Sequence, residues 1–202
     1  MADVAGKKRT QTSEEFSGKR RAQSSEDLVG KKKTQTNEDF VESVLSVRRV
    51  AKVIRGGRRF AFSALVVAGD KHGNVGYSLG KSREVSSAIS KALRRAKKNM
   101  VAVPLYKTTI PYTVTGKHGA SKVIIRSASK GTGVIAGGAV RAVMEAIGVQ
   151  DVLAKSLGSP NPQNVVKATM KALGKLRSAR QLAKMRGKSV NELCGVENVA
   201  AQ

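Results

Sequence analysis

The sequence predicts an α+β protein of two small domains behind a disordered tail. Three patterns carry that expectation: a 12-residue repeat ending near residue 41, strand-like runs separated by glycine turns up to Leu79, and amphipathic helical stretches interleaved with further apolar runs. A chain of 202 residues can supply two modest cores.

The tail comes first. Gly6–Ser17 opens on a basic triplet and closes on an acidic pair followed by Phe16, and the pattern recurs as Gly18–Val29, with Leu28 in that place, and as Gly30–Val41. Each unit has only one large apolar residue, or one followed by Val, at its end, too little to bury a face, so residues 1–41 are expected to be disordered. The segment carries nine basic and seven acidic side chains, which leaves +22 of the formal +24 on residues 42–202. Self-repulsion on that scale calls for a polyanion, most simply a nucleic acid, and the part expected to bind it is the folded one. Seven acids also disfavour a transit peptide.

From Val44, apolar and β-branched residues through Ile54 alternate with Arg48, Arg49, Lys52 and Arg55, as in a strand. Gly56-Gly57 marks a turn, Arg58–Val67 reads as a second strand, and Gly69–Asn74 turns into a third, Val75–Leu79. These signals predict three antiparallel strands. Phe60 and Phe62 alternate as a base-stacking platform would, but core packing beneath the sheet is the favoured reading. Aromatic residues make up only 3% of the chain, so recognition of folded RNA by charge and shape is preferred over base stacking.

A helix follows, with Val85, Ala88, Ile89, Ala92, Leu93, Ala96 and Met100 recurring at spacings of three and four. Lys91, Arg94, Arg95, Lys97 and Lys98 cover its other side without an acid between them, which favours phosphate contact over a merely solvated face. Lys81 and Arg83 stand just before the helix, whose first amides suit an anion. After a junction at Val103–Lys107 come apolar runs through Ile110–Val114 and Val123–Ile125. The glycine-rich Gly131–Gly138 leads into a helix over about Ala139–Ile147. A strand is expected near Val152-Leu153, and a helix begins at Asn161-Pro162, with Asn as cap and Pro at the first position. The domains are then 42–105 and 106–195, with residues 196–202 as a short tail.

Catalysis and cofactors find little support. Gly76–Ser82 resembles a phosphate-binding loop but has three residues between its glycines where four are needed, so nucleotide hydrolysis is a remote alternative. Gly131–Gly138 lacks the order and the acidic partner of a dinucleotide site. His72 and His118 are isolated, and Cys194 has no partner for a disulfide or a base nearby, so neither a cofactor nor a metal is expected. No apolar run is long enough to span a bilayer and the N-terminus lacks a secretory core, which suggests a cytoplasmic protein.

The stretch Gly57–Val85 closely resembles the signature of the small-subunit ribosomal protein five family, as do Gly131–Arg141, Val152–Lys155 and Ser159–Lys167. The resemblance covers about residues 40–190. It departs from the family at Ser86, where Pro is usual, and in the repeated tail. It implies an N-terminal domain similar to double-stranded-RNA-binding modules, three strands on one helix, and a C-terminal βαβ-type α/β sandwich. It also implies a structural, non-enzymatic role in the small ribosomal subunit, holding head against body near the mRNA entry side and supporting translational accuracy. Changes in the hairpin of such proteins can affect spectinomycin sensitivity.

On that footing the expected RNA-binding residues are Arg48, Arg49, Lys52, Arg55, Gly56, Gly57, Arg58, Arg59, Lys71, Lys81, Arg83, Lys91, Arg94, Arg95, Lys98, Lys122 and Arg126. Gly133 and Arg141 are expected to face ribosomal protein four, with ribosomal protein eight as a further neighbour. The competing reading is a nucleic-acid-packaging protein that uses the same charge without a unique site.

Overall fold

The computed structural model describes residues 40–190 and 192. The repeat tail before Phe40, Cys194 and the C-terminal tail lie outside the described residues.

The first sheet is built from β1 (Val41–Ile54), β2 (Gly57–Gly69), β3 (Asn74–Ser82) and β4 (Val101–Ala102), antiparallel in that order. The expected three strands are thus joined by a fourth, β4, which pairs Val101 and Ala102 with Val75 and Asn74. Two residues before Pro104 are too few to show a period, so the sequence pattern does not reveal it. β1 also starts at Val41, earlier than the apolar pattern from Val44 suggests, because its pairing begins opposite Gly69.

Helix α1 (Val85–Lys98) lies on one face of this sheet. It buries Ala88, Ala92 and Ala96, small residues on one stripe, and packs the first two against Ala64 and Val66 of β2. β3 meets that stripe with glycines. A Cβ on Gly80 would press on the carbonyl oxygen of Ala88 and lie 2.8 Å from the backbone nitrogen of Ala92. Gly76 is placed likewise, 3.0 Å from the carbonyl carbon of Ala96. Backbones approach this closely only where side chains are absent. The glycines that resembled a nucleotide loop are therefore spacers inside a strand.

The second sheet comprises β5 (Val114–His118), β6 (Ser121–Ser127), β7 (Val134–Ile135) and β8 (Val152–Gly158), in the order β5-β6-β8-β7. The β5–β6 and β6–β8 pairs are antiparallel. β7 and β8 are parallel and joined through α2 (Gly138–Ile147), the expected βαβ unit. Helix α3 (Pro162–Leu173) covers the face that buries Val123 and Ile125. It starts as expected: the Asn161 side chain accepts from the Gln163 amide at 3.4 Å, and Pro162 opens the helix. A further helix, α4 (Ala179–Arg186), was not anticipated from apolar period because it buries only Ala183. Its local signal is the reciprocal capping between Ser178 and Gln181.

The two halves share one apolar core. α2 is buried nearly all round, through Val140, Val143, Met144, Ala146 and Ile147, and the same cluster holds Leu65, Val67 and Val75 of the first sheet with Val123, Ile125, Val166 and Leu173 of the second half. The β2–β3 turn is pinned to the end of α2, where Lys71 N donates to Ala146 O at 3.1 Å and Gly73 N to Ile147 O at 3.0 Å. Asp70 organises that turn by accepting from the backbone amides of His72 and Asn74 and from the Asn74 side chain. Burial alone would raise its pKa; these hydrogen bonds outweigh it and hold the carboxyl below its ordinary value.

Candidate nucleic-acid interface

β1 and β2 continue past the rest of their sheet. β3 pairs with β2 only as far as Phe62 opposite Ser82, whereas β1 and β2 remain paired to Ile54 opposite Gly57. Residues 50–61 therefore project as a two-stranded ribbon closed by a turn at Arg55-Gly56. The five residues Val50–Ile54 alone extend it by about 17 Å at the usual strand rise. Gly57 has φ 143°, a conformation that L side chains rarely adopt.

Strand register sorts the ribbon's cations between two faces. Arg49 lies opposite Phe62 and Val53 opposite Arg58, on the face that carries α1. Arg48 lies opposite Ser63 and Lys52 opposite Arg59, on the other. Like charges directly across a strand pair repel, so Lys52 and Arg59 side by side destabilise the free ribbon and suit it to a polyanion. From Ser46 to Phe62 there are six Lys or Arg and no acid.

Phe60 corrects the expected core packing: it is 50% exposed on the ribbon, with the Arg49 guanidinium 4.8 Å from its ring centroid. Phe62, at the edge of the sheet proper, is half-buried. The alternation was real, but the strand carrying Phe60 runs beyond any helix that could cover it.

On α1, Lys91, Arg94, Arg95 and Lys98 share a concave surface with Ser86, Ser87 and Ser90, about 680 Å³ in volume. The helix enters regularly from Glu84, and Ser86 is exposed at its second position. Arg95 also donates to Leu79 O at 3.3 Å, which ties the basic ridge to β3. Lys97 leaves the expected row of five cations, since its ammonium lies 2.8 Å from Glu42 and 5.0 Å from the Phe40 ring centroid.

Other expected residues land elsewhere. Lys71 lies at the far end of β2 from the ribbon's turn, beside Glu145 and Gly148. Lys81 lies on β3 opposite Ser63, which Arg48 faces from the other side. Arg83 is exposed in the short link to α1. Lys122 and Arg126 occupy the face of the second sheet away from α3. There Arg126 lines a concavity of about 290 Å³ with Ile124, Ile135, Leu153 and Lys155. Lys117 pairs directly with Lys122 on β5 and β6, a cation that sequence reasoning missed because it adjoins His118 and no apolar run.

Gly131–Gly133 forms a tight loop held by one carboxylate. Asp151, 4% exposed, accepts from the backbone amides of Gly131 and Gly133, each at 3.0 Å. The Gly133 amide, then the Thr108 hydroxyl and the Gly131 amide, keep its pKa below the ordinary carboxylate value. The loop delivers β7 and α2, and Arg141 reaches back to Val134 O at 3.4 Å. Gly133 has φ 74°, in the left-handed region that favours glycine.

Residues 40–104 match the family "Ribosomal protein S5, N-terminal domain" and residues 116–186 match "Ribosomal protein S5, C-terminal domain". Relatives named small ribosomal subunit protein uS5 include one from Lawsonia intracellularis, 56% identical over 74% of this chain and 91% of that protein. Another, from Syntrophobacter fumaroxidans, is 54% identical over 76% and 92%. A third, from Nitrosococcus oceani, is 54% identical over 77% and 91%. Two family matches spanning most of the described chain, with relatives matched over nine-tenths of their length, establish that the chain belongs to the ribosomal protein S5 family.

Proposed function

We propose that this chain is a structural, non-enzymatic constituent of the small ribosomal subunit in the cytoplasm, and that it binds ribosomal RNA through the β1–β2 ribbon and the basic face of α1. The observation that carries the RNA reading is the ribbon with its root, six cations and no acid from Ser46 to Phe62, with Lys52 directly opposite Arg59. Lys and Arg neutralise phosphates and release their counterions, a gain that depends on charge and not on base sequence. A two-stranded arm with a cationic helix on the same sheet suits the backbone of folded RNA better than single strands, which need several exposed stacking rings where the ribbon has Phe60 alone, with the Arg49 guanidinium over it.

The Gly131–Gly133 loop with Arg141 is proposed to meet ribosomal protein four, and ribosomal protein eight is proposed as a further neighbour. Both follow from the family resemblance, as do the holding of head against body near the mRNA entry side and the support of accuracy. The aliphatic surface of Ile124, Ile135 and Leu153 beside that loop favours a protein neighbour there, because RNA offers no apolar side chains to bury. A protein interface of this kind biases subunit closure if its contacts differ between two states.

The test is incorporation of the double variant Arg55→Glu/Arg58→Glu into small subunits in competition with the parent chain. Reduced incorporation and release at lower salt are expected. Normal incorporation would refute the ribbon as an RNA arm. Equal binding of the parent chain to unrelated duplexes and to small-subunit RNA would favour the packaging alternative.

A further inference from the structure

At the root of the ribbon, where the two halves of the fold meet, lies a second concave site. It has a volume of about 230 Å³ and is lined by Arg48 and Ser46 of β1, Ser63 of β2 and Lys81 of β3, with Asn161 and Gln163 from the start of α3 closing it from the other half. Arg48 and Lys81 flank Ser63 in one row across three strands. Their backbones are thus about 10 Å apart, two strand spacings, and two long side chains can converge on one anion between them. No acid lines the cavity. Among the described residues neither cation has an acidic partner, the one ion pair being Lys97 with Glu42.

We infer that this cavity binds a backbone phosphate of the RNA strand that runs along the ribbon, and that this phosphate joins the two halves of the protein. The inference rests on the ribbon's reading as an RNA arm. Register puts Lys52 and Arg59 on the same face as Arg48, with Lys52 about 13 Å further along β1 at the usual rise. A polyanion lying on that face meets Lys52 and Arg59 first and the cavity next. Ser63 and the carboxamides of Asn161 and Gln163 supply uncharged donors around the two cations. A phosphodiester, with anionic oxygens on either side, accepts from several directions at once, as this arrangement requires.

Gln163→Glu tests the site without removing a cation. A carboxylate in the first turn of a helix is favourable to folding, so the variant should melt no lower than the parent. It nevertheless sets an anion against the phosphate. Small subunits reconstituted with the full-length variant should retain it about fivefold less tightly at a given salt concentration, the factor for one repulsive contact in water. Gln150→Glu, which adds the same charge at an exposed position outside the cavity, is the control and should retain normally. A photocrosslinker at position 163 should reach RNA.

Unchanged retention of Gln163→Glu overturns the inference. So does equal weakening by both variants, which would reflect general repulsion, or a crosslink from position 163 to a protein. The ribbon reading fails separately, through normal incorporation of the Arg55→Glu/Arg58→Glu chain.

Discussion

Gly80→Ala should be among the most damaging single-methyl additions to this protein. The new Cβ would press on the carbonyl oxygen of Ala88 and stand 2.8 Å from the Ala92 nitrogen and 2.9 Å from the Ala92 Cβ. None of these is the free end of a flexible side chain, so relief requires α1 to back away from β3 by roughly half an ångström or more. Overpacking of this kind costs about 1–3 kcal/mol, and backbone contacts place it at the upper end. For a fold of this size that corresponds to a fall of about 6–12 °C in melting temperature, at roughly 2–4 °C per kcal/mol.

Thermal unfolding followed by circular dichroism would measure it, with Gly56→Ala as control. Gly56 has open space around its Cβ position and no positive φ, so that variant should melt like the parent. Because α1 carries Lys91, Arg94 and Lys98, Gly80→Ala should also weaken retention in small subunits. A Gly80→Ala protein melting within about 2 °C of the parent would refute the close-packing argument.

Further outcomes can be checked in the same way. Asp151→Ala should raise hydrogen exchange at the Gly131 and Gly133 amides, measured by NMR, while leaving the first sheet protected. The folded pKa of Asp151 lies below the unfolded value of 3.8, so its stabilisation is present above 3.8 and is lost as pH falls through the folded value. Acid titration should accordingly show a shallower loss of stability in Asp151→Ala than in the parent below pH 3.8. Ser78 buries a hydroxyl with no hydrogen-bond partner, so Ser78→Ala should raise stability by about 1 kcal/mol in a denaturant melt. Lys97→Met, which breaks a half-exposed pair with Glu42, should lower stability by less than about 1 kcal/mol and leave retention in small subunits nearly unchanged.

Much of the candidate site was legible along the chain because its signals are local. The glycine turns at Gly56-Gly57 and Gly69–Asn74 bracket β2 as expected, and spacings of three and four gave the buried face of α1. Asn161-Pro162 marked the start of α3. Phe60 was misread for a reason local pattern cannot reach: alternation tells which residues share a face, not whether another element lies above it. β4 and α4 were missed because two residues show no period and a helix that buries one alanine has almost no apolar stripe.

The sequence by itself determined the excess of positive charge on residues 42–202, the strand and helix faces, and the resemblance that the family matches later supported. Each is carried by composition or by neighbours a few residues apart. Only the tertiary structure decided which cations stand together. It paired Lys97 with Glu42 from the far end of the sheet, set Lys52 against Arg59, and brought Arg48, Lys81 and Gln163 around one cavity. It also turned Gly80 from a suspected phosphate loop into a place where a helix touches a strand. These relations depend on strand register and on the core that α2 shares between both sheets, and no window of sequence contains either.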